Sequence, residues 1–285
     1  MTGTDIYIQR LLESNPLRES LLRRIIQEQE LPKGSHGLDA GCGIGLQMPL
    51  LFQEVGDRGR ITGLDILPEL IAFGRNMIEK IGLSDRITFW EGDVNQLPFE
   101  EDTFDWVWSA DCVGYPAGEL GPVLKELMRV IKPGGDVILL GWSSQQVLPG
   151  YPLLEARLNA TCSAYLPYLR GKSPESNFMR VMDAFHKAGL KDVVPQTFVD
   201  TIQSPLREEC KTAVTSLLDM LWGAPQPEVS QADWQEYQRL CKPTSPDFIL
   251  NLPNYYGFFT YSVFRGKVDK TPLRTQPKPV RQIDR

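Results

Sequence analysis

The chain of 285 residues sets 30 Lys and Arg against 36 Asp and Glu, a formal net charge of −6, with 42% hydrophobic and 23% charged residues. That is globular composition, long enough to bury a full core, and its acidic balance argues against a general affinity for nucleic acid or anionic membrane, which leaves a small molecule as the expected partner. No run approaches the roughly 18 apolar residues of a membrane span, residues 1–10 lack the apolar core of a signal peptide, and the cysteines at 42, 112, 162, 210 and 241 lack metal-ligand spacing, so a cytoplasmic protein with no metal and no membrane partner is expected.

Residues 17–29 place Leu17, Leu21, Leu22, Ile25 and Ile26 at helical spacing, which predicts an amphipathic helix stopped by Pro32 and Gly34. Segments then alternate. Strands are expected at 37–40, 60–64, 87–90, 104–109 and 136–141, and helices at 47–54, 68–81 and 122–130. This order implies a parallel sheet with helices on both faces and ligands beyond the carboxyl ends of the strands. After Trp142 the rhythm loosens: 151–169 is mixed and aromatic, 177–188 is helical with Gly189 as its stop, and 192–202 is a sixth strand. A helical insertion at about 205–250 precedes the aromatic, β-branched strand 255–264. The expected organisation is an N-terminal helical segment 1–34, one domain 35–266, and a disordered tail 267–285 rich in Pro, Lys and Arg.

The first strand runs into Asp39-Ala40-Gly41-Cys42-Gly43-Ile44-Gly45. Glycines at alternate positions allow a sharp turn and let a bulky ligand approach the main chain, as nucleotide-type cofactors require. A phosphate-cradling P-loop is excluded because no Gly-Lys-Ser/Thr follows. The dinucleotide fingerprint G-x-G-x-x-G fits poorly, since the third glycine comes one residue early, though an NAD-dependent oxidoreductase stays open as an alternative. Asp39 beside the loop would repel a pyrophosphate and attract a cationic amino-acid tail, directly, through water, or by ordering the loop amides.

These residues resemble the first motif of the class I S-adenosylmethionine (SAM) dependent methyltransferases, and further segments match in order. Gly63-Leu64-Asp65-Ile66 ends the second strand, Glu91-Gly92-Asp93-Val94 the third, and 104–109 resembles the fourth, with Lys132-Pro133-Gly134-Gly135 as the turn before the fifth. The matched region is roughly 35–144, and the pattern is most similar to the methyltransferase type 11 group that includes ubiquinone and menaquinone biosynthesis enzymes. The resemblance implies a Rossmann-like α/β fold: a mostly parallel seven-stranded sheet, the last strand antiparallel, with helical lid insertions. It implies SAM as cofactor and S-adenosylhomocysteine as product. It also implies that Asp39, Gly41, Gly43 and Gly45 meet the methionine side, Asp65 and Ile66 the ribose side, Asp93 and Val94 the adenine, and Ser109 the methionine portion through its backbone. Asp93 also suits a turn on its own account, and Gly134 and Gly135 are turn residues.

Methyl transfer from a sulfonium needs alignment of donor and acceptor more than a nucleophilic side chain, although an acceptor that must lose a proton needs a base. The two histidines, His36 and His186, lie outside the strand ends and read as structural. Asp111 and Tyr115, just past the fourth strand, are the catalytic candidates for acceptor orientation or proton handling. Aromatic residues in 151–168 and the 205–250 insertion are expected to form a lid over an apolar or aromatic small-molecule acceptor, with Tyr7 closing over the cofactor or packing in the first helix. A SAM-binding protein without turnover is the remaining alternative.

Overall fold

The computed structural model describes residues 3–224 and 226–270. Helix α1, Gly3–Glu28, continues through Pro16 and begins 14 residues before the periodic stretch 17–29. Strands β1 (His36–Ala40), β2 (Arg60–Asp65), β3 (Ile87–Glu91) and β4 (Phe104–Ala110) alternate with α2 (Met48–Val55), α3 (Pro68–Lys80) and α4 (Leu120–Val130). Pro49 and Pro68 sit in the first turns of α2 and α3, where the missing N–H costs no hydrogen bond. Strand β5, Ile131–Gln146, begins earlier than residue 136. Its pairing with β4 jumps from Phe104–Ile131 to Trp106–Asp136, so Pro133, Gly134 and Gly135 form a turn inside the ladder.

Beyond β5 come α5 (Pro152–Ala160), α6 (Leu166–Leu169), α7 (Val181–Ala188), β6 (Lys191–Gln203), α8 (Glu208–Trp222), α9 (Gln231–Cys241) and β7 (Tyr256–Lys267). Gly189 closes α7 in the left-handed conformation at φ +93°, the stop that the sequence announces. The seven strands lie in the order β3-β2-β1-β4-β5-β7-β6. Pairs among β1 to β5 are parallel, and β7 runs antiparallel between β5 and β6.

The two faces of the sheet separate by residue parity, as pleating requires. Trp106, Trp108, Ile138 and Leu140 pack with Leu21 and Ile25 of α1, Met48 and Leu51 of α2, and Leu217 and Leu221 of α8. Val107, Val137 and Leu139 face Leu124 and Leu127 of α4 and Phe185 of α7. Helix α1 thus belongs to the core that covers one face. At roughly 25 cal/mol per Å² of apolar surface, burying each of its Leu and Ile side chains contributes about 1.5–3 kcal/mol.

The expected lid segments pack on one another. Asn159 Oδ1 of α5 accepts from Trp222 Nε1 of α8 at 3.2 Å and from Gln145 Nε2 of β5 at 2.7 Å, and the Leu221 carbonyl accepts from the Ser163 N–H at 2.8 Å. Lys267 is the last residue of β7, and Val268 is buried with its N–H bonded to the Gly135 carbonyl at 2.8 Å, so the expected tail does not start at 267. Its remainder, 271–285, lies outside the described residues. Among the described residues no helix is long and apolar enough to cross a membrane.

Candidate functional site

The carboxyl ends of β1, β2 and β4 converge under the N-terminal half of α1. Gly41, Gly43 and Gly45 hold φ of +80°, +56° and +77°, a left-handed path that side chains adopt at a cost. Space divides their roles. A Cβ on Gly41 would lie 2.1 Å from Cys112 Sγ, and one on Gly45 2.6 Å from the Phe89 ring, so both are glycine because the protein itself packs there. A Cβ on Gly43 would meet nothing nearer than Leu11 Cδ1 of α1 at 3.9 Å. Only at Gly43 does the missing side chain face open room.

Asp65, at the end of β2, has both oxygens engaged by backbone. Gly43 N–H donates to Oδ2 at 2.8 Å and Leu67 N–H donates to Oδ1 at 3.0 Å. Each oxygen keeps a further lone pair for a diol. Asp39, 3% exposed, is pushed up to about 8 by burial and by the Asp65 charge. A carboxyl so placed gains most from an arriving cation. Ile66 is 61% exposed beside Asp65, an apolar surface at the rim.

Asp93 follows β3, exposed, and accepts from the backbone N–H of Asn95 at 2.8 Å and from its side-chain amide at 2.7 Å, which hold its carboxyl below the ordinary range. The turn role anticipated for it is present. Val94 packs against the core beside it. Ser109, buried at the end of β4, donates to the Ala40 carbonyl at 2.7 Å and accepts from the Val113 N–H at 3.2 Å. Its hydroxyl therefore ties β4 to β1.

The acceptor-side candidates are both engaged. Asp111 sits at φ +51°, and its Oδ1 accepts from Trp142 N–H at 2.9 Å while Oδ2 accepts from the Tyr261 hydroxyl at 2.7 Å and lies 3.5 Å from Arg18 Nη1. Burial raises its pKa despite these partners. Tyr115 donates to the Trp142 carbonyl at 2.9 Å and meets the Tyr165 and Phe178 rings edge-on at 5.8 and 5.3 Å. Burial and the Asp111 charge push its phenol well up, so a phenolate is disfavoured there. Cys112 is pushed up to about 12 by burial and by Asp65 and Asp39, which keeps it a thiol rather than a nucleophile.

One side of this cluster, apart from Tyr7, is not legible as site from the sequence. Tyr7, Leu11, Ser14 and Arg18 follow one another at spacings of four, three and four, a single stripe of α1. Leu11 covers Gly43, Arg18 reaches Asp111, and the Tyr7 phenol is raised by burial and by Asp65, with Asp111 and Cys112 adding. Tyr7 is therefore within electrostatic reach of the acids past β2 and β4. His36 instead bonds Thr62 Oγ1 at 2.9 Å and meets Phe104 edge-on at 4.7 Å, at the other end of β1.

Residues 38–135 match the methyltransferase domain family. The chain is 29% identical over 183 residues to a demethylmenaquinone methyltransferase of Bacillus cereus, covering 59% of this chain and 75% of that enzyme. It is 36% identical over 141 residues to a sterol 4-C-methyltransferase of Caenorhabditis elegans, covering 48% of this chain but only 41% of that one. In three dimensions it resembles a SAM-dependent methyltransferase from Aquifex aeolicus with a TM-score of 0.52 at 16% identity, over 94% of this chain and 100% of that one. That last likeness concerns the fold. The glycine loop, the strand-end acids and the sheet order agree with these matches, which make residues 38–135 a methyltransferase domain and the chain similar to small-molecule methyltransferases.

Proposed function

We propose that this protein transfers the methyl group of SAM to a small apolar or aromatic acceptor in the cytoplasm, where its five free cysteines stay reduced. The observation that carries the reading is the Asp65 carboxylate, oriented by the Gly43 and Leu67 amides next to the open face of Gly43. When bound, SAM supplies a methyl already activated on a positively charged sulfur, displaced in line by the acceptor's nucleophile to leave S-adenosylhomocysteine. Asp65 receives the two ribose hydroxyls and Ile66 lies against the sugar and base. Asp93 and the Val94 amide read the adenine edge. Asp39 and the backbone of Gly41, Gly43, Gly45 and Ser109 face the amino-acid end.

Asp111 and Tyr115 form the acceptor side. With three polar partners already on Asp111 and a carbonyl bound by Tyr115, we assign them to orienting the acceptor. The lid of α5, α6, α8 and α9 excludes water, supported by the edge-on rings of Tyr115, Tyr165 and Phe178. The names of the curated relatives, acting on a demethylmenaquinone and on a sterol, favour an apolar ring acceptor.

Calorimetric titration with SAM, S-adenosylhomocysteine and NAD tests the cofactor: binding of NAD but not SAM would overturn it. A screen of quinols, phenols, amines and thiols with SAM, read as the mass gain of one methyl, tests turnover. Tight SAM binding with no methylated product across that screen favours a SAM-binding protein without turnover.

A further inference from the structure

A cavity of about 360 Å³ opens between α4 and α7, at the small end of the range of small-molecule sites. Leu120 and Gly121 of α4 and Ala184 and Ala188 of α7 give it apolar walls, with Lys125 and Lys187 beside them. Gly121 has no packing reason to be glycine. A helical glycine weakens its helix, yet Gly121 has no left-handed backbone, and a Cβ there would meet nothing within 4 Å among the described residues.

One paired layer of chain separates this cavity from the acceptor side. Residues 116–118 run antiparallel to 176–178: Gly118 N–H donates to the Ser176 carbonyl at 2.9 Å, Phe178 N–H donates to the Pro116 carbonyl at 3.1 Å, and Ala117 lies opposite Asn177. The outer rung, Gly118 with Ser176, lines the cavity. The inner rung carries Phe178, whose ring meets Tyr115 edge-on at 5.3 Å. Leu120 also reaches from the cavity toward this loop, since a Cβ on Gly114, next to Tyr115, would lie 2.3 Å from its Cδ2.

The segment that brings 176–178 into this pairing is lightly held. No residue of 166–175 is buried, and its ion pair, Arg170 with Glu228 at 2.5 Å, sits on the surface, where such pairs hold little. Segments with few buried contacts are the ones that open below the cost of global unfolding. The neighbouring lid helices α5 and α8 are instead tied to each other and to β5 through Asn159, Trp222 and Gln145.

We infer that the cavity between α4 and α7 is the outer port through which a ring acceptor reaches Tyr115, and that the paired segments 116–118 and 176–178 are its gate. The inference rests on the methyl-transfer reading for the class of ligand, an apolar ring with a polar substituent. The ring takes the apolar walls of Leu120 and Ala184. Parting both rungs joins the cavity to the acceptor side and lifts Phe178 from Tyr115, and closing them restores the ring contact and shuts out water.

The test staples the gate. Ala117 and Asn177 are the non-hydrogen-bonded pair between the two rungs, a position where Cα atoms stand about 4.5 Å apart, so Ala117→Cys with Asn177→Cys can close as a disulfide. The probe is 1-naphthol, followed by its own fluorescence on stopped-flow mixing with the full chain, with and without S-adenosylhomocysteine. The reduced double variant should take it up as the wild-type protein does, which certifies the fold and allows for the lost contact of Asn177 with the Met179 N–H. The oxidised variant, identified by its loss of two hydrogens, should associate at least about 10-fold more slowly, and reductant should restore the rate. Its S-adenosylhomocysteine affinity by calorimetry should stay within about two-fold of the wild-type value. Gly121→Leu, whose side chain has room to fill the cavity, should weaken 1-naphthol about 10-fold without lowering the Tm.

An oxidised staple that takes up 1-naphthol at the wild-type rate overturns the gate, even where Gly121→Leu weakens binding, because the probe then stays in the outer cavity. Wild-type affinity in Gly121→Leu, or no binding of 1-naphthol to the wild-type protein, overturns the port. Absence of S-adenosylhomocysteine binding with intact 1-naphthol uptake overturns the methyl-transfer reading instead, and the naphthol rates still decide the port and the gate.

Discussion

The backbone N–H of Gly43 donates to the Asp65 carboxylate at 2.8 Å, across 22 residues of sequence, and makes the loop after β1 and the acid ending β2 one unit. Leu67 N–H fixes the second oxygen at 3.0 Å. The carboxylate is thereby held in one orientation, and little ordering would remain to be done on binding a diol there.

Replacing Asp65 should therefore hurt twice. Asp65→Ala removes the acceptor of two backbone amides as well as the ribose contact, and S-adenosylhomocysteine affinity should fall by about 10- to 100-fold. Asp65→Asn retains one acceptor oxygen and should lose less. Calorimetry on both variants gives the order, and equal affinities would refute the bidentate role.

Gly43 and Gly41 should respond differently to the same methyl group. Gly43→Ala meets no atom nearer than 3.9 Å, so its folding cost is the backbone strain of about 1–2 kcal/mol, while the new methyl occupies the ligand's side and weakens cofactor binding. Gly41→Ala drives its Cβ to 2.1 Å from Cys112 Sγ. Overpacking of that kind costs about 1–3 kcal/mol on top of the strain. Thermal denaturation should rank Gly41→Ala below Gly43→Ala.

Asp39 gives a pH dependence whose sign is fixed. Its folded value, about 8, lies above the ordinary 3.8, so the folded chain holds a proton that the unfolded chain releases above about pH 4. The stability this proton contributes is fully present below that pH and is lost as pH rises through about 8. Within the window the slope approaches about 1.4 kcal/mol per pH unit. The Tm of the ligand-free protein relative to Asp39→Asn should accordingly fall as pH rises from 5 to 8. A difference that stays flat would show that Asp39 titrates normally.

Asp111→Ala separates orientation from folding. Three groups lose their acceptor, Trp142 N–H, the Tyr261 hydroxyl and the Arg18 guanidinium, and an unsatisfied buried donor costs about 1–3 kcal/mol. Turnover should drop while S-adenosylhomocysteine still binds, and Tm should fall measurably. Turnover equal to that of the wild-type protein would remove Asp111 from the acceptor side.

Much of this site was legible locally because its parts sit at the ends of short strands with clear turn chemistry. The glycine triplet, Asp65 and Asp93 each follow an apolar run directly, and the chain order of strands and helices was recoverable from periodicity. What escaped was carried by α1. Pro16 interrupts an isolated helix, so the periodic stretch begins after it. In the folded chain the helix runs on to Gly3, with Arg10 bonded to Asp219 of α8 at 3.2 Å, and that added length brings Leu11 over the loop. Asp111 was found by its place after β4, but its partners Tyr261 and Arg18 lie 150 and 93 residues away.

The sequence by itself determined the resemblance to methyltransferases, the alternation that builds the sheet, and which residues stand at the carboxyl ends of its strands, because hydrophobic period and turn residues act over a few positions. Tertiary structure alone decided what those residues do for one another. It assigned two of the three glycines to internal packing and one to open space, joined Gly43 to Asp65, and saturated Asp111 and Tyr115 with partners. Distances, burial and the competition of charges for a common partner exist only once segments far apart in the chain share the same few ångströms.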